Sequence, residues 1–477
     1  MRALLISTYE LGRQPFGLAS PAAWLRREGW DVDCIDAAKD RVPDSAFAGA
    51  GLIGVHLPMH TATRLAGPLL VKARRLNRTA RVCAYGLYAP LNEAWLRSLG
   101  VDEVLGGEFE EDLAAIARSI GSERSPQSAQ SPQSQLLSAK SAFSAVSRRD
   151  KEPRLHFLVP DRSTLPPLSR YATLQMPDGT RKTVGSTEAS RGCKHLCRHC
   201  PIVPVYQGEF RVVQHDVVLA DVAAHVASGA GHITFGDPDF FNGPTHALRI
   251  VDALHAAYPE LTYDVTIKVE HLLKHRDLLP RLAATGCAFV TSAVESIDDR
   301  VLALLDKGHT RADFFEAVAA CHAAGLTFVP TFVAFHPWLS LGDYCDLLDT
   351  IAALDLVERV APIQLAIRLL VPAGSLLLER DELLAHLGPF DPATLAYPWA
   401  HPDAKVDTLH HDITALVGTR LASDRRGLFE MIRALACDRA GRPQPAPLGA
   451  SAAGAVPFLD EPWYCCAEPN PDDIRLI

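Results

Sequence analysis

Ser190-Arg-Gly-Cys-Lys-His-Leu-Cys-Arg-His-Cys-Pro201 sets three cysteines, at 193, 197 and 200, in a C-x3-C-x2-C run directly behind the turn residue Gly192. Soft thiolates at this pitch close on one face of an iron–sulfur cluster. Zinc is the competing occupant; it needs a fourth ligand, which His195 or His199 in the same loop supplies. Three thiolates on a four-iron cluster leave one iron open, and an open iron holds a substrate.

The remainder of the chain bounds what such a loop serves. Its 477 residues leave room for two or three domains with large cores. With 48% hydrophobic and 22% charged residues the composition is that of an ordinary soluble protein, and no apolar run reaches the length of a membrane span. The start, Met1-Arg-Ala-Leu-Leu-Ile-Ser7, is expected to be a strand and not a signal peptide. A net charge of −9 argues against a phosphate-tracking surface, so neither nucleic acid nor a membrane is an expected partner. Eleven cysteines in a chain of this length make no secreted disulfide framework. Cys83, Cys287 and Cys321 stand singly in apolar runs, as reduced core thiols do, which points to the cytoplasm.

Working outward, residues 1–120 alternate short apolar runs with helical patterns. Strands are expected at 2–7, 31–36, 52–56, 81–85 and 102–105, with helices between them. Continuous apolar strands joined by helices form a Rossmann-like, doubly wound parallel sheet with ligands at the carboxyl strand ends. Those ends are 54–60, which holds His56 and His60, 86–90, and Gly106-Gly-Glu-Phe-Glu110. Residues 121–152 change character: Ser125-Pro-Gln-Ser-Ala-Gln-Ser-Pro-Gln-Ser134 is too polar to offset its ordering entropy and reads as a disordered linker. From 153 to 375 strands are expected at 182–187, 232–235, 261–269, 288–294, 327–334 and 363–370. These repeats of strand and helix predict a partial (β/α)6 TIM-like barrel, with the cysteine loop at the end of its first strand. Residues 376–477 read as a helical region followed by an Ala/Pro/Gly-rich stretch and a cysteine tail, Glu461-Pro-Trp-Tyr-Cys-Cys-Ala-Glu-Pro469.

The cysteine loop resembles that of the radical SAM superfamily, C-x3-C-x-aromatic-C, with His199 in the aromatic slot. The resemblance spans roughly residues 1–375. It implies a 4Fe–4S cluster on Cys193, Cys197 and Cys200, S-adenosylmethionine (SAM) on the open iron, and an electron donor such as flavodoxin or ferredoxin. Gly236, Asp237 and Asp239 stand where the family carries a Gly-Gly-Glu-like element that grips the SAM amino group. Lys268 and Glu270 stand where similar proteins contact the SAM carboxylate or ribose. Glu295 and Arg368 end later strands toward the same mouth, and Leu305-Asp-Lys-Gly-His-Thr310 looks like the helix that follows the fourth strand. The first half is similar to the cobalamin-binding domain that precedes many radical SAM cores. It lacks the D-x-H-x-x-G loop that supplies an axial histidine, so a structural or ligand-shielding domain is favoured over a cobalamin site.

The tail matches a small group of radical SAM proteins named for a CCAEP or CUAEP ending, in which selenocysteine can replace the first cysteine. A paired thiol presented between prolines suits a soft metalloid or redox chemistry; the plain alternative is two incidental thiols. Some enzymes of this tail group are similar to those that form a carbon–arsenic bond in arsinothricin biosynthesis. They do so by transferring the 3-amino-3-carboxypropyl group of SAM. The expected activity is therefore a transferase reaction on a small-molecule or metalloid substrate, with Cys465 and Cys466 as catalytic residues delivering trivalent arsenic. Conventional 5′-deoxyadenosyl radical chemistry or B12-dependent methylation of a small metabolite is the alternative. A non-catalytic metal or metalloid carrier is the alternative of another class.

Overall fold

The computed structural model describes residues 1–123, 155–418, 424–449 and 456–460. These divide into two units, one of residues 1–10, 15–123 and 155–166, the other of residues 11–14 and 167 onward.

The first unit runs β1 (Arg2–Ser7), α1 (Phe16–Arg27), β2 (Asp31–Asp36), α2 (Asp44–Ala48), β3 (Leu52–His56), α3 (His60–Leu76), β4 (Arg81–Tyr85), α4 (Glu93–Ser98), β5 (Glu103–Leu105) and α5 (Phe109–Glu123). All five strands pair in parallel, in the order β2-β1-β3-β4-β5. Ala3, Leu4, Leu5 and Ile6 are all fully buried, as a strand covered on both faces requires. Leu5, Leu18, Leu25, Tyr85, Phe109 and Leu113 lie in one apolar cluster between the sheet and its helices. The doubly wound reading is what the structure shows, although α5 continues to Glu123. The segment 155–166 packs on this first unit. The Asp161 amide donates to the Ala19 carbonyl at 2.9 Å, Arg26 pairs with the Asp161 carboxylate at 2.7 Å, and the Cys34 amide donates to Thr164 Oγ1 at 3.2 Å.

The second unit opens with β6 (Thr173–Gln175), β7 (Arg181–Thr187), β8 (Ser190–Gly192), α6 (Val203–Tyr206), β9 (Phe210–Val212) and α7 (His215–Ala227). Its middle is β10 (His232–Phe235), α8 (Pro244–Ala257), β11 (Thr262–Thr266), α9 (Val269–Lys274), α10 (Leu279–Ala284), β12 (Cys287–Glu295), α11 (Asp299–Leu305), α12 (Arg311–Ala323), β13 (Phe328–Phe332) and α13 (Leu341–Ala353). It closes with α14 (Asp381–Leu384), α15 (Ala404–Gly418), α16 (Arg425–Ala440) and β14 (Phe458–Leu459). The main sheet is ordered β13-β12-β11-β10-β7-β6-β14; β7 and β10 to β13 pair in parallel, and β6 and β14 form an antiparallel edge. This is the curled half barrel that the strand–helix repeat predicts.

Two sequence expectations need correction here. The sixth strand, expected at 363–370, is a 3-10 turn over Pro362–Leu365 followed by a single parallel bridge between Phe335 and Arg368. Its place beside β13 is taken by a side chain, because buried Gln364 Oε1 accepts the Phe332 amide at 2.9 Å. The third strand, expected through 269, ends at Thr266. Lys268 is instead the N-cap residue of α9, and Glu270 sits in the first turn of that helix, where a carboxylate complements the helix dipole. The helices after 376 belong to the same unit as the half barrel, with α16 packed on α13. No helix among the described residues is long and apolar enough to cross a membrane.

Candidate active site

The cysteine loop leaves the sheet through β8, and the carboxyl end of β10 holds it there. Asp237 accepts hydrogen bonds from the Ala189 amide at 2.8 Å and the Ser190 hydroxyl at 2.6 Å. Asn242, three residues past Asp239, accepts from the Lys194 amide at 3.1 Å and donates to the Gly192 carbonyl at 3.2 Å. Gly192 has φ +75°, and a Cβ there would stand 2.5 Å from the Glu209 carbonyl oxygen, so only glycine makes this turn. The loop's far side is tied to the end of α11. The Arg198 amide donates to the Leu305 carbonyl at 2.9 Å, and its guanidinium reaches the Ala303 and Leu304 carbonyls at 3.0 and 2.9 Å. A cation on the last carbonyls of a helix is favourable in charge and in hydrogen bonding.

Between these anchors sit the three cysteines of one short loop. Burial, with Asp239 and Cys197 adding to it, pushes the Cys193 thiol up to about 11, and burial pushes Cys200 to about 12. Left alone, Cys193 and Cys200 stay protonated near neutral pH. Soft metal ions displace such protons, and one buried and two half-buried thiols in one loop fit an iron–sulfur cluster by the chemistry of the donors. The donor atoms of Cys193, His195 and Asp239 also lie within 4.8 Å of one another.

Two buried ionic groups flank the loop. In the first, Glu295 Oε1 stands 3.1 Å from His199 Nε2 and 3.4 Å from Lys307 Nζ. Burial acts to raise the Glu295 pKa, but Lys307 and His199 outweigh it and hold the carboxyl down at about 2. Glu295 follows an irregularity in the β12–β13 register and has φ +68°, a strained conformation for a residue with a Cβ. In the second group, Asp239 Oδ2 is 2.7 Å from His271 Nδ1 and 3.5 Å from His195 Nε2. Burial again works against ionisation, and His195 and His271 hold Asp239 below the usual carboxylate range. His195 Nδ1 is 3.5 Å from Glu270 Oε2, which is itself 3.4 Å from Lys268 Nζ.

The structure therefore gathers most of the residues that the sequence singles out: Cys193, Cys197, Cys200, His199, Asp239, Lys268, Glu270 and Glu295. Gly236 and Asp237 stand at the same strand end, but both Asp237 oxygens are engaged by the loop's own backbone and hydroxyl. Arg368 is fastened elsewhere. It bonds the Asp407 carboxylate and the Trp399 carbonyl, each at 2.7 Å, and its guanidinium lies 3.5 Å over the Trp399 ring. Cys465 and Cys466 fall outside the described residues. Sequence reasoning assigned no role to Lys307, His271, Asn242 or Arg198. Lys307 lies in the 305–310 stretch noted after the fourth strand, but a local pattern does not reveal which carboxylate that lysine faces.

Residues 187–351 match the family model described as the radical SAM superfamily. Over 182 residues the chain is 25% identical to the tRNA-2-methylthio-N(6)-dimethylallyladenosine synthase of Moorella thermoacetica, covering 34% of this chain and 38% of that protein. Over 205 residues it is 24% identical to the enzyme of the same name from Alkalilimnicola ehrlichii, covering 40% and 44%. The chain thus spans less than half the length of these relatives. In fold it is similar to the cobalamin-dependent S-adenosylmethionine radical enzyme OxsB, with a TM-score of 0.64 at 12% identity over 87% of this chain and 66% of that one. It is also similar to the radical S-adenosylmethionine methyltransferase TsrM of Kitasatospora setae, with a TM-score of 0.56 at 18% identity over 74% of this chain and 70% of that one. A radical SAM domain implies a 4Fe–4S cluster and SAM as cofactors. Residues 187–351, which carry the cysteine loop and strands β10 to β13, thus match a radical SAM superfamily domain, and such a domain supports an enzymatic role.

Proposed function

We propose that this enzyme cleaves SAM reductively at a 4Fe–4S cluster held by Cys193, Cys197 and Cys200, and transfers its 3-amino-3-carboxypropyl group to trivalent arsenic in the biosynthesis of a small molecule. The observation that carries the first part is the three-thiol loop on the first strand end of a half barrel, inside the matched region. The second part rests on the Cys465-Cys466 tail.

A 4Fe–4S cluster held by Cys193, Cys197 and Cys200 would supply one electron to the sulfonium of SAM, and the chain would supply position and exclusion of water. Asp237 and Asn242 fix where the loop begins, and Arg198 fixes where it meets α11. Asp239 and Glu270 are left to receive the SAM amino group, and Lys268 its carboxylate or ribose. His199, held by Glu295, offers a flat ring on the loop's inner side. Arg368, bound to Asp407, is reserved for shaping the wall and not for touching SAM. Cutting the bond between sulfur and the aminocarboxypropyl carbon takes one electron and leaves methylthioadenosine. Replacing one arsenic–oxygen bond of arsenite with a carbon–arsenic bond takes a second electron and a proton, the displaced hydroxyl leaving as water, and reduced flavodoxin or ferredoxin is the proposed source of both electrons.

His56 and His60 of the first unit do not fit an axial role toward cobalamin. His56 is 6% exposed and its ring lies 5.3 Å from that of Tyr85 and 5.8 Å from that of Phe109. A Cβ on Gly17 would fall 1.9 Å from that ring, so the fold closes over it. His60 is 1% exposed against Tyr88. A corrinoid on this unit would be held without either of these two histidines. B12-dependent methylation is the second reading, favoured by the fold shared with TsrM.

Anaerobic incubation with SAM, arsenite and dithionite, followed by product analysis, tests the proposal. Methylthioadenosine and an organoarsenical are expected; 5′-deoxyadenosine or a methylated product would overturn the transfer. Replacing any one of the three cysteines by Ala should abolish iron binding and SAM cleavage together. Retention of about four irons in the triple variant would remove the cluster assignment.

A further inference from the structure

Two lysines stand beside the cysteine loop. Lys268 Nζ lies 3.4 Å from Glu270, which reaches His195 of the loop at 3.5 Å, and Lys307 Nζ lies 3.4 Å from Glu295, which reaches His199 of the loop at 3.1 Å. They differ in what surrounds them. Lys268 pairs with Glu270, whose side chain is 43% exposed, so water screens that charge. The side chains of Lys307 and Glu295 are 4% and 11% exposed, and little water reaches either. The nearest further imidazole is His309, which burial and the two lysines push down to about 4; it is neutral near pH 7 and adds no charge. His199, on the other side of Glu295, holds that carboxylate at 3.1 Å and turns it away from sole possession of the lysine.

The backbone is shaped to keep this cation in place. Asp306 ends α11 in the left-handed region, with φ +55°, and Gly308 follows at φ +72°. Lys307 is thus caught in a tight turn between two fixed conformations. The loop itself is bound to the same helix end through Arg198, so the turn that carries Lys307 and the cysteine loop share one anchor.

Resting on the reading of the loop as a cluster site, we propose that Lys307 is a positioning residue of the electron-transfer step: its buried ammonium sets the reduction potential of the cluster, and Glu295 trims that effect. A fixed positive charge in a dry site favours the form with one more electron. A negative charge beside it has the opposite effect, so the two residues pull in opposite directions.

The test is a spectroelectrochemical titration of the reconstituted full chain, with iron per chain measured alongside. Lys307→Met should assemble the same iron content and show a lower midpoint potential. Lys307→Arg should restore it nearly to the wild-type value, and Glu295→Gln should raise it. A purely structural lysine would alter thermal stability and leave all potentials together, which would overturn the proposal; so would a rise in Lys307→Met. Should that variant fail to assemble, Glu295→Gln decides alone, an unmoved or lowered potential counting against the idea. Absence of any iron chromophore in the wild-type chain would instead defeat the cluster reading itself, and the inference with it.

Discussion

Asp237 Oδ1 accepts the Ser190 hydroxyl at 2.6 Å, so a carboxylate at the end of β10 secures the strand that launches the cysteine loop. Asp237 is 2% exposed, and burial pushes its carboxyl from the usual 3.8 up to about 7. The folded state therefore holds a proton that the unfolded chain has released. Its contribution to stability is fully present below pH ~4 and is lost as pH rises through about 7.

Asp237→Asn imitates the protonated acid, since its carbonyl accepts from Ala189 while its amide donates to Ser190. Wild-type protein should lose on the order of 2–4 kcal/mol relative to this variant between pH 4 and pH 8. Thermal melting of both chains across that range measures it. Parallel curves would mean that Asp237 is already ionised in the folded protein.

Gly308 packs its Cα where a Cβ would stand 2.8 Å from Glu270 Oε2 and 3.3 Å from Lys268 Nζ. Gly308→Ala should cost roughly 1–2 kcal/mol for its left-handed backbone and displace the Lys268–Glu270 pair as well. Gly441→Ala, with φ +66° and no atom within 4 Å of the new Cβ, carries the backbone strain alone. Weakened SAM binding in the first variant and not in the second, by equilibrium titration, is the expected result. Equal affinities would take the Lys268–Glu270 pair out of the SAM site.

His56→Ala and His60→Ala should each destabilise the first unit by about 1–3 kcal/mol through lost packing. Neither should alter the absorption spectrum of any corrinoid that copurifies. A histidine-dependent band lost in either variant would show that the buried rings do reach a ligand.

Replacing Cys465 and Cys466 together by Ser should leave iron content and unproductive SAM cleavage near wild type, while the product formed from arsenite disappears. Serine keeps the shape but is a hard, high-pKa donor that cannot hold trivalent arsenic. Deleting residues 461–477 should give the same phenotype. Full turnover by the truncated enzyme would leave the arsenic proposal without its main support.

The sequence by itself determined the elements whose signal is local. The interiors of strands β1 and β3 are continuous apolar runs because both their faces are covered, and the cysteine spacing places three soft donors in one loop. The alternation of strand and helix implied both the doubly wound sheet and the half barrel. What only the tertiary structure decided is which side chains meet across those strand ends. Lys307 and Glu295 lie 12 positions apart and Asp239 and His271 lie further, so no periodicity links them; strand register and the turn after α11 bring them together. Arg368 shows the converse: it stands at the expected strand end, yet Asp407, far along the chain on α15, claims its guanidinium at 2.7 Å. A charged group settles where its desolvation is best compensated, and that partner is chosen by packing in three dimensions, after the local pattern has fixed the strands.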